Sequence, residues 1–152
     1  MKHLTLAAAL ALTGAAAAVA DDWPQFRGPN RDDVSTEKRL LKTWPTDGPP
    51  LVWTAKGIGD GYSSLSVAGD RVYTLGNKGS VTNLVALERD TGKVAWSSEL
   101  GQSGGHLGCT PTVDGKHVYA IGQTGDIACF ETATESSAPR AATTPRSSPS
   151  TS

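Results

Sequence analysis

Short runs of alternating apolar and polar residues, separated by turn residues, occupy the middle of the chain. Strand-like runs occur at residues 63–67, 71–75, 83–87 and 94–98, and again at 109–113, 117–121 and 127–131. A further apolar run at 51–55 is interpreted as the end of an earlier strand. Glycine-containing pairs such as Gly69-Asp70 and Asp114-Gly115 separate neighbouring strands, because glycine reaches positive φ without a Cβ clash. The pattern predicts an all-β fold.

Two of these strand–turn–strand units are imperfect copies of each other. Residues 67–76 (VAGDRVYTLG) align with residues 113–122 (VDGKHVYAIG), which lie 46 positions further on. Trp53 and Trp96, each of which closes an apolar run, are 43 positions apart. Repeats of about 40 to 50 residues built from short strands are typical of β-propeller blades, which cannot bury their apolar faces singly. Tyr73 and Tyr119 recur at matching positions and are therefore predicted to be packing residues.

The two ends of the chain and its first fifty residues differ from this repeated part. Residues 1–20 have a basic start, an apolar middle and a small-residue cleavage site, which predicts a signal peptide and export. The proline-rich residues 21–50 predict an irregular lead-in whose Trp and Phe rings pack on the first blade, with a short helix around 35–41. Residues 135–152, rich in Ser, Thr and Pro, predict a disordered tail. The propeller repeats are assigned to residues 51–134.

Charge and cysteine content narrow the function classes. The 14 Lys and Arg and 15 Asp and Glu residues are scattered, with a net charge of -1, so no surface for nucleic acid is predicted. Cys109 and Cys129 are assigned to the first and third strands of one blade, about 10 Å apart, which is too far for a relaxed disulfide. Two unpaired, half-buried thiols are therefore expected.

The most specific motif lies at residues 86–96. Its defining positions are Ala86, Glu88, Thr91, Gly92 and Trp96. This segment resembles the tryptophan-docking motif of the PQQ-like, quinoprotein-type β-propeller repeat, and Trp53 looks like the corresponding residue of a preceding partial blade. Residues 129–134 begin a second copy, without the glycine and tryptophan that would follow. The resemblance implies an incomplete propeller of about one and a half to two four-stranded antiparallel blades, from a truncated or frameshifted chain.

This resemblance implies an exported, periplasmic or extracellular binding or scaffold module without catalytic activity. Protein or small-molecule ligands would bind its loops, no transmembrane segment is expected, and incomplete blade edges would favour self-association. The alternative is an inactive fragment of a PQQ-dependent quinoprotein alcohol or sugar dehydrogenase. No cofactor is expected for this chain itself, and PQQ and calcium would belong to a full-length enzyme.

Three local features suggest other chemistry. Residues 90–92 form the Asp-Thr-Gly triplet of aspartic proteases, but a single copy preceded by charged residues favours a structural turn. Residues 57–61 are glycine-rich like a phosphate-binding loop, but a strand pattern follows, so an interblade loop is favoured. His106, in a glycine-rich loop, is the candidate ligand-contacting residue; it does not predict a metal site, and no catalytic residue is assigned.

Overall fold

The computed structural model describes residues 20–38, 40–105 and 108–133. Seven strands form within these ranges: β1 (Ser66–Ala68), β2 (Arg71–Lys78), β3 (Val81–Glu88), β4 (Val94–Gln102), β5 (Thr112–Asp114), β6 (His117–Ile121) and β7 (Ile127–Glu131). The described residues contain no helix, and thus none long and apolar enough to cross a membrane. The predicted leader, apart from Ala20, the predicted tail and His106 lie outside the described residues.

The strands form two antiparallel sheets. The first sheet has the order β1-β2-β3-β4, and the second has the order β5-β6-β7. Val67 lies opposite Val72 in the first sheet, and Val113 lies opposite Val118 in the second. The two hairpins therefore share one register, as the 46-residue repeat predicts. The fold is an all-β, incomplete β-propeller, which confirms the predicted fold class.

One apolar core joins the two sheets. It includes Tyr73, Leu84 and Trp96 from the first sheet and Val118 and Phe130 from the second, all between 0% and 6% exposed. A smaller cluster of Val72, Val85 and Leu87 lies on the other face of the first sheet. The period-2 alternation of strand side chains explains this division, since neighbouring residues of β2 point to opposite faces.

The lead-in contacts both sheets through its backbone. Trp23 and Val67 exchange two hydrogen bonds of 2.8 and 2.9 Å, and the N–H of Val113 donates to the carbonyl of Pro24 at 2.7 Å. The prediction that the lead-in rings pack on the first blade is wrong for Phe26 and Trp44, which are 64% and 61% exposed. The backbone hydrogen bonds to β1 and β5 hold the lead-in in place without burial of these two rings.

Three strand and helix predictions require correction. Residues 51–55 form no strand, because no described segment pairs with their backbone. Cys109 precedes β5 instead of lying on it, since Pro111 has no N–H to donate to a neighbouring strand.

The described residues around 35–41 are not helical. Here local and lead-in contacts replace helical bonds, since the N–H of Glu37 donates to Ser35 Oγ at 3.2 Å and Thr36 Oγ1 donates to Asp21 Oδ2 at 2.7 Å. The other strand-like runs do form strands: β2, β3 and β4 are longer than predicted, whereas the runs at 63–67 and 109–113 give only the short strands β1 and β5.

Candidate functional site

The connection between β3 and β4 is a tight turn held by its own side chains. Glu88 and Lys93 are joined by a 2.8 Å backbone hydrogen bond, and the N–H of Gly92 donates to the Glu88 carbonyl at 2.8 Å. Thr91 Oγ1 donates to Glu88 Oε2 at 2.7 Å and accepts from the N–H of Lys93 at 3.2 Å. The Glu88 carboxylate thus orders the turn, while Asp90 is exposed. This geometry agrees with the favoured reading of residues 90–92 as a structural turn.

Trp53 packs on this turn. Gly92 has a φ of 68° and is buried, and a Cβ added to it would lie 2.6 Å from Trp53 Cδ2. The indole N–H of Trp53 donates to the Arg89 carbonyl at 2.9 Å. Glycine is therefore required at position 92 for two reasons: the left-handed backbone and the close approach of the indole.

Trp96 makes a corresponding contact with the second sheet. Its indole N–H donates to the Thr132 carbonyl at 3.4 Å, and its ring centroid lies 6.0 Å from that of Tyr73 and 6.3 Å from that of Phe130. Ala86, which is 0% exposed, lies directly opposite Trp96 in the sheet. A small residue at position 86 leaves room for the large rings of Tyr73 and Trp96 beside it.

The two tryptophan contacts are structural copies. Each indole donates to a carbonyl 36 positions further along the chain. The N–H groups of the two acceptor residues also bond alike, because Arg89 donates to Asp70 and Thr132 donates to Lys116, both at 2.9 Å. The structure thus brings Ala86 and Trp96 together in the core between the sheets. It brings Glu88, Thr91, Gly92 and Trp53 together at the β3–β4 turn.

A cleft of about 520 Å³ opens on the loops at one end of the first sheet. Its lining residues are Asp60, Gly61, Tyr62, Asn77, Gly79, Ser103 and Gly105. Asn77, only 8% exposed, fixes two of its walls. Its Nδ2 donates to the Gly105 carbonyl at 2.7 Å, and its backbone exchanges hydrogen bonds of 2.9 and 2.8 Å with Asp60. We call these lining residues the loop cleft.

Asn77 does not stand out in the sequence as a candidate site residue. Its buried amide is also held by Thr82, whose Oγ1 donates to Asn77 Oδ1 at 2.8 Å. A polar residue near the end of β2, two positions before the Gly79-Ser80 turn, was the available signal. His106, the predicted ligand residue, follows Gly105 of the cleft rim in the sequence, but its own position lies outside the described residues.

Two tyrosines at matching repeat positions have different surroundings. Burial raises the pKa of Tyr73, and the nearby Arg71 charge opposes this effect. Tyr119 is 41% exposed, and its pKa is raised mainly by the neighbouring Cys129 thiol, with which it pairs across β6 and β7. The prediction that both are packing residues is therefore wrong for Tyr119. Its ring lies on the sheet face that no described strand covers.

Both cysteines are unpaired and half-buried, as predicted. Within residues 20–38, 40–105 and 108–133, no three His, Cys, Asp or Glu side chains converge as ligands for a metal ion.

The structure has a four-stranded and a three-stranded antiparallel sheet, with equivalent tryptophan contacts. These features define a β-propeller built from PQQ-like repeats. A family model described as outer membrane protein assembly factor BamB matches residues 52–151. The chain belongs to this family. A search of curated proteins finds no match. The family assignment confirms the predicted PQQ-like kinship, and its match continues past residue 134, into the predicted tail.

Proposed function

We propose that the chain is an exported, non-catalytic scaffold module that binds a protein partner during outer membrane protein assembly. The observation that carries this proposal is the match of residues 52–151 to the family described as outer membrane protein assembly factor BamB. A module of this class has to present loops in a fixed arrangement, because loops on a rigid scaffold commonly carry binding residues.

Two features of the structure support a scaffold role. First, the residues of the β3–β4 turn and the two indoles act as a docking motif. Trp53 fastens the irregular segment 51–55 to the first sheet, and Trp96 fastens β4 to the second sheet, each by a hydrogen bond and ring packing. Second, Asn77 connects the walls of the loop cleft by hydrogen bonds. The cleft is polar enough, with Asp60 and Ser103, to bind peptide backbone groups by hydrogen bonding.

The first test concerns export. The full chain is expressed in a bacterium with an outer membrane, the periplasm is released by osmotic shock, and the protein is sequenced from its N-terminus. We expect the periplasmic protein to begin near Asp21. Intact residues 1–20 on a cytoplasmic product would overturn export.

The second test concerns the partner. A photo-reactive amino acid is placed at Tyr62, 75% exposed on the rim of the loop cleft, and in a control at Val94, 48% exposed on β4 of the first sheet. We expect adducts with outer membrane proteins or their assembly machinery from position 62 and not from position 94. Equal adducts from both positions would show that the loop cleft is not the binding surface.

The dehydrogenase alternative is tested by equilibrium dialysis of the purified full chain against PQQ and calcium. We expect no stoichiometric uptake of either. Stoichiometric uptake of both would contradict the non-catalytic proposal and favour an origin in a quinoprotein alcohol or sugar dehydrogenase.

A further inference from the structure

The residues on either side of the predicted leader cleavage point are held by different parts of the protein. Arg89, from the β3–β4 turn, donates from Nη2 to the Ala20 carbonyl at 2.8 Å. The backbone N–H of Asp21 instead donates to Glu37 Oε1 at 2.6 Å, within the lead-in. The Asp21 carboxylate also accepts a hydrogen bond of 2.7 Å from Thr36 Oγ1. We call residues 21, 36 and 37 the N-terminal clamp, because they join the start of the lead-in to its later part.

The acceptor in the N-terminal clamp is a carboxylate, although its partner in the uncut chain is a neutral amide. Glu37 is half-buried, whereas Asp21 is exposed. Among the described residues, no Lys or Arg side chain forms an ion pair with Glu37. A carboxylate bonds more strongly to a cationic donor than to a neutral one, since charge-assisted hydrogen bonds are about twice as strong as neutral ones. The clamp is therefore better suited to an ammonium group than to the N–H that it binds in the uncut chain.

We propose that the N-terminal clamp is a binding site for the α-ammonium group that removal of the leader creates at Asp21. This inference rests on the proposed export of the chain. The peptidase of the export pathway breaks the bond between the Ala20 carbonyl carbon and the Asp21 nitrogen. One water molecule is consumed: its oxygen goes to the carbon, so residues 1–20 leave as a carboxylate, and its two hydrogens go to the nitrogen. The resulting ammonium lies where the Asp21 nitrogen already bonds to Glu37.

Cleavage also frees one side of the Arg89 guanidinium. Its Nη2 loses the Ala20 carbonyl when residues 1–20 leave, while its Nη1 keeps a 3.1 Å hydrogen bond to the Gly69 carbonyl. The Asp22 carboxylate accepts a hydrogen bond of 3.0 Å from the N–H of Gly69 and lies 3.9 Å from Arg89 Nη1. Asp22 therefore keeps the start of the mature chain on the first sheet, and the freed guanidinium is available to pair with it more closely.

The N-terminal clamp matters because the residues directly after it join the two sheets. Trp23 exchanges two hydrogen bonds with Val67, and Pro24 accepts one from Val113. Chain termini are the places where order is lost first unless they are held, so binding of Asp21 protects these bonds. Exposed ion pairs change an equilibrium by only about two- to fivefold, which sets the size of the expected effects.

The first experiment measures the reactivity of the new amine. The mature chain is released from a carrier protein by a protease whose cut leaves Asp21 first, so the test does not require export. Labelling with an N-hydroxysuccinimide ester at neutral pH is followed by mass spectrometry of the N-terminal peptide. We expect Glu37→Gln to be labelled about two- to fivefold faster than wild type, because its amine loses the ion pair. Glu99→Gln, the same change at an exposed position of β4, should be labelled like wild type. Equal rates in all three proteins, or equal acceleration by both variants, would overturn the proposal.

The second experiment distinguishes the ammonium from a neutral N–H at the same place. Amide exchange of Val67, whose N–H donates to Trp23, is measured in the chain that begins at Asp21 and in the same chain extended by Gly-Ser. We expect Glu37→Gln to speed this exchange about two- to fivefold in the first chain and clearly less in the extended one. The same effect in both chains would show that Glu37 holds only a backbone N–H, which would overturn the proposal.

The two experiments and the export test fail in different ways. A cytoplasmic product that keeps residues 1–20 would refute the proposed export, whatever the labelling rates of the chain made from the carrier. A periplasmic product that begins at Asp21 but is labelled at the same rate with and without Glu37→Gln would refute the N-terminal clamp alone.

Discussion

Gly92 combines two requirements, a left-handed backbone and the close approach of an indole ring. Its φ of 68° is left-handed, and the Trp53 ring covers the position of its missing side chain. Gly115 has a similar φ of 56°, but a Cβ added there would meet nothing within 4 Å. The comparison separates the backbone effect from the indole contact.

We expect Gly92→Ala to lower the free energy of unfolding by about 2–4 kcal/mol, from left-handed strain plus overpacking against the indole. Gly115→Ala should cost only the backbone part, about 1–2 kcal/mol. Urea unfolding followed by far-ultraviolet circular dichroism measures both. Equal losses would mean that the indole moves aside without cost and that the Trp53 contact contributes little.

Tyr73 makes the stability of the folded protein depend on pH in the alkaline range. Burial raises the pKa of its phenol in the folded state, so the unfolded chain loses this proton first, near pH 10. The stabilisation is complete below that pH and is lost as pH rises through the folded-state pKa. We expect the urea midpoint of wild type to fall more steeply between pH 9 and 11 than that of Tyr73→Phe.

The control for this prediction is Tyr62→Phe, because Tyr62 is 75% exposed. Its pH profile should follow that of wild type. At neutral pH, Tyr73→Phe should cost less than about 1 kcal/mol, since the hydroxyl lies 3.5 Å from its acceptor, the Thr132 carbonyl. Parallel profiles of wild type and Tyr73→Phe would show that this phenol does not govern the alkaline loss.

At the scale of elements, β4 joins the two sheets through one side chain. Trp96 is 6% exposed and lies between Tyr73 and Phe130, which belong to different sheets. We expect Trp96→Ala to cost about 3–5 kcal/mol, the range for removing a large buried ring. Trp44→Ala, at a 61% exposed lead-in position, should cost less than about 0.5 kcal/mol.

Circular dichroism measures both variants without relying on the fluorescence of the residue that is removed. A similar, small cost at both positions would contradict the role of Trp96 as the joint between sheets. Loss of structure already in the absence of urea would agree with that role, because no other aromatic ring of the described core contacts both Tyr73 and Phe130.

The sequence was sufficient to predict hairpins whose pairing is local. Strands β6 and β7 have the predicted bounds, since alternation and a nearby glycine turn define both partners. It was not sufficient at residues 51–55, which have a strand pattern but no described neighbour to pair with. A strand depends on a second segment, and a single-chain pattern does not show whether that segment is present.

The candidate site also has one part that could be predicted from the sequence and one part that could not. The residues of the β3–β4 turn could be predicted, because their contacts lie within a few positions and the motif fixes their spacing. The role of Asn77 could not, since its amide bonds to Gly105, 28 positions away. The predicted boundaries after residues 20 and 134 stay predictions.

At the scale of the whole molecule, the lead-in joins the first strands of the two sheets, β1 and β5. The N–H of Val67 donates to Trp23, and the N–H of Val113 donates to Pro24 on the next residue. Two adjacent lead-in carbonyls therefore accept hydrogen bonds from different sheets. This connection is independent of the tryptophan joints, which lie at the β3–β4 turn and in the core between the sheets.

We expect deletion of residues 21–33 to raise the amide exchange rates of Val67 and Val113 about tenfold or more, since both N–H groups lose their acceptors. The amide of Leu84, in the middle of the first sheet, should change much less. Deletion of residues 40–47, an exposed part of the lead-in, is the matched control and should leave all three rates unchanged. Hydrogen exchange followed by nuclear magnetic resonance resolves the three amides. If the two deletions gave the same exchange pattern, the lead-in would be only tethered to the sheets, and the second sheet would be held by the aromatic core alone.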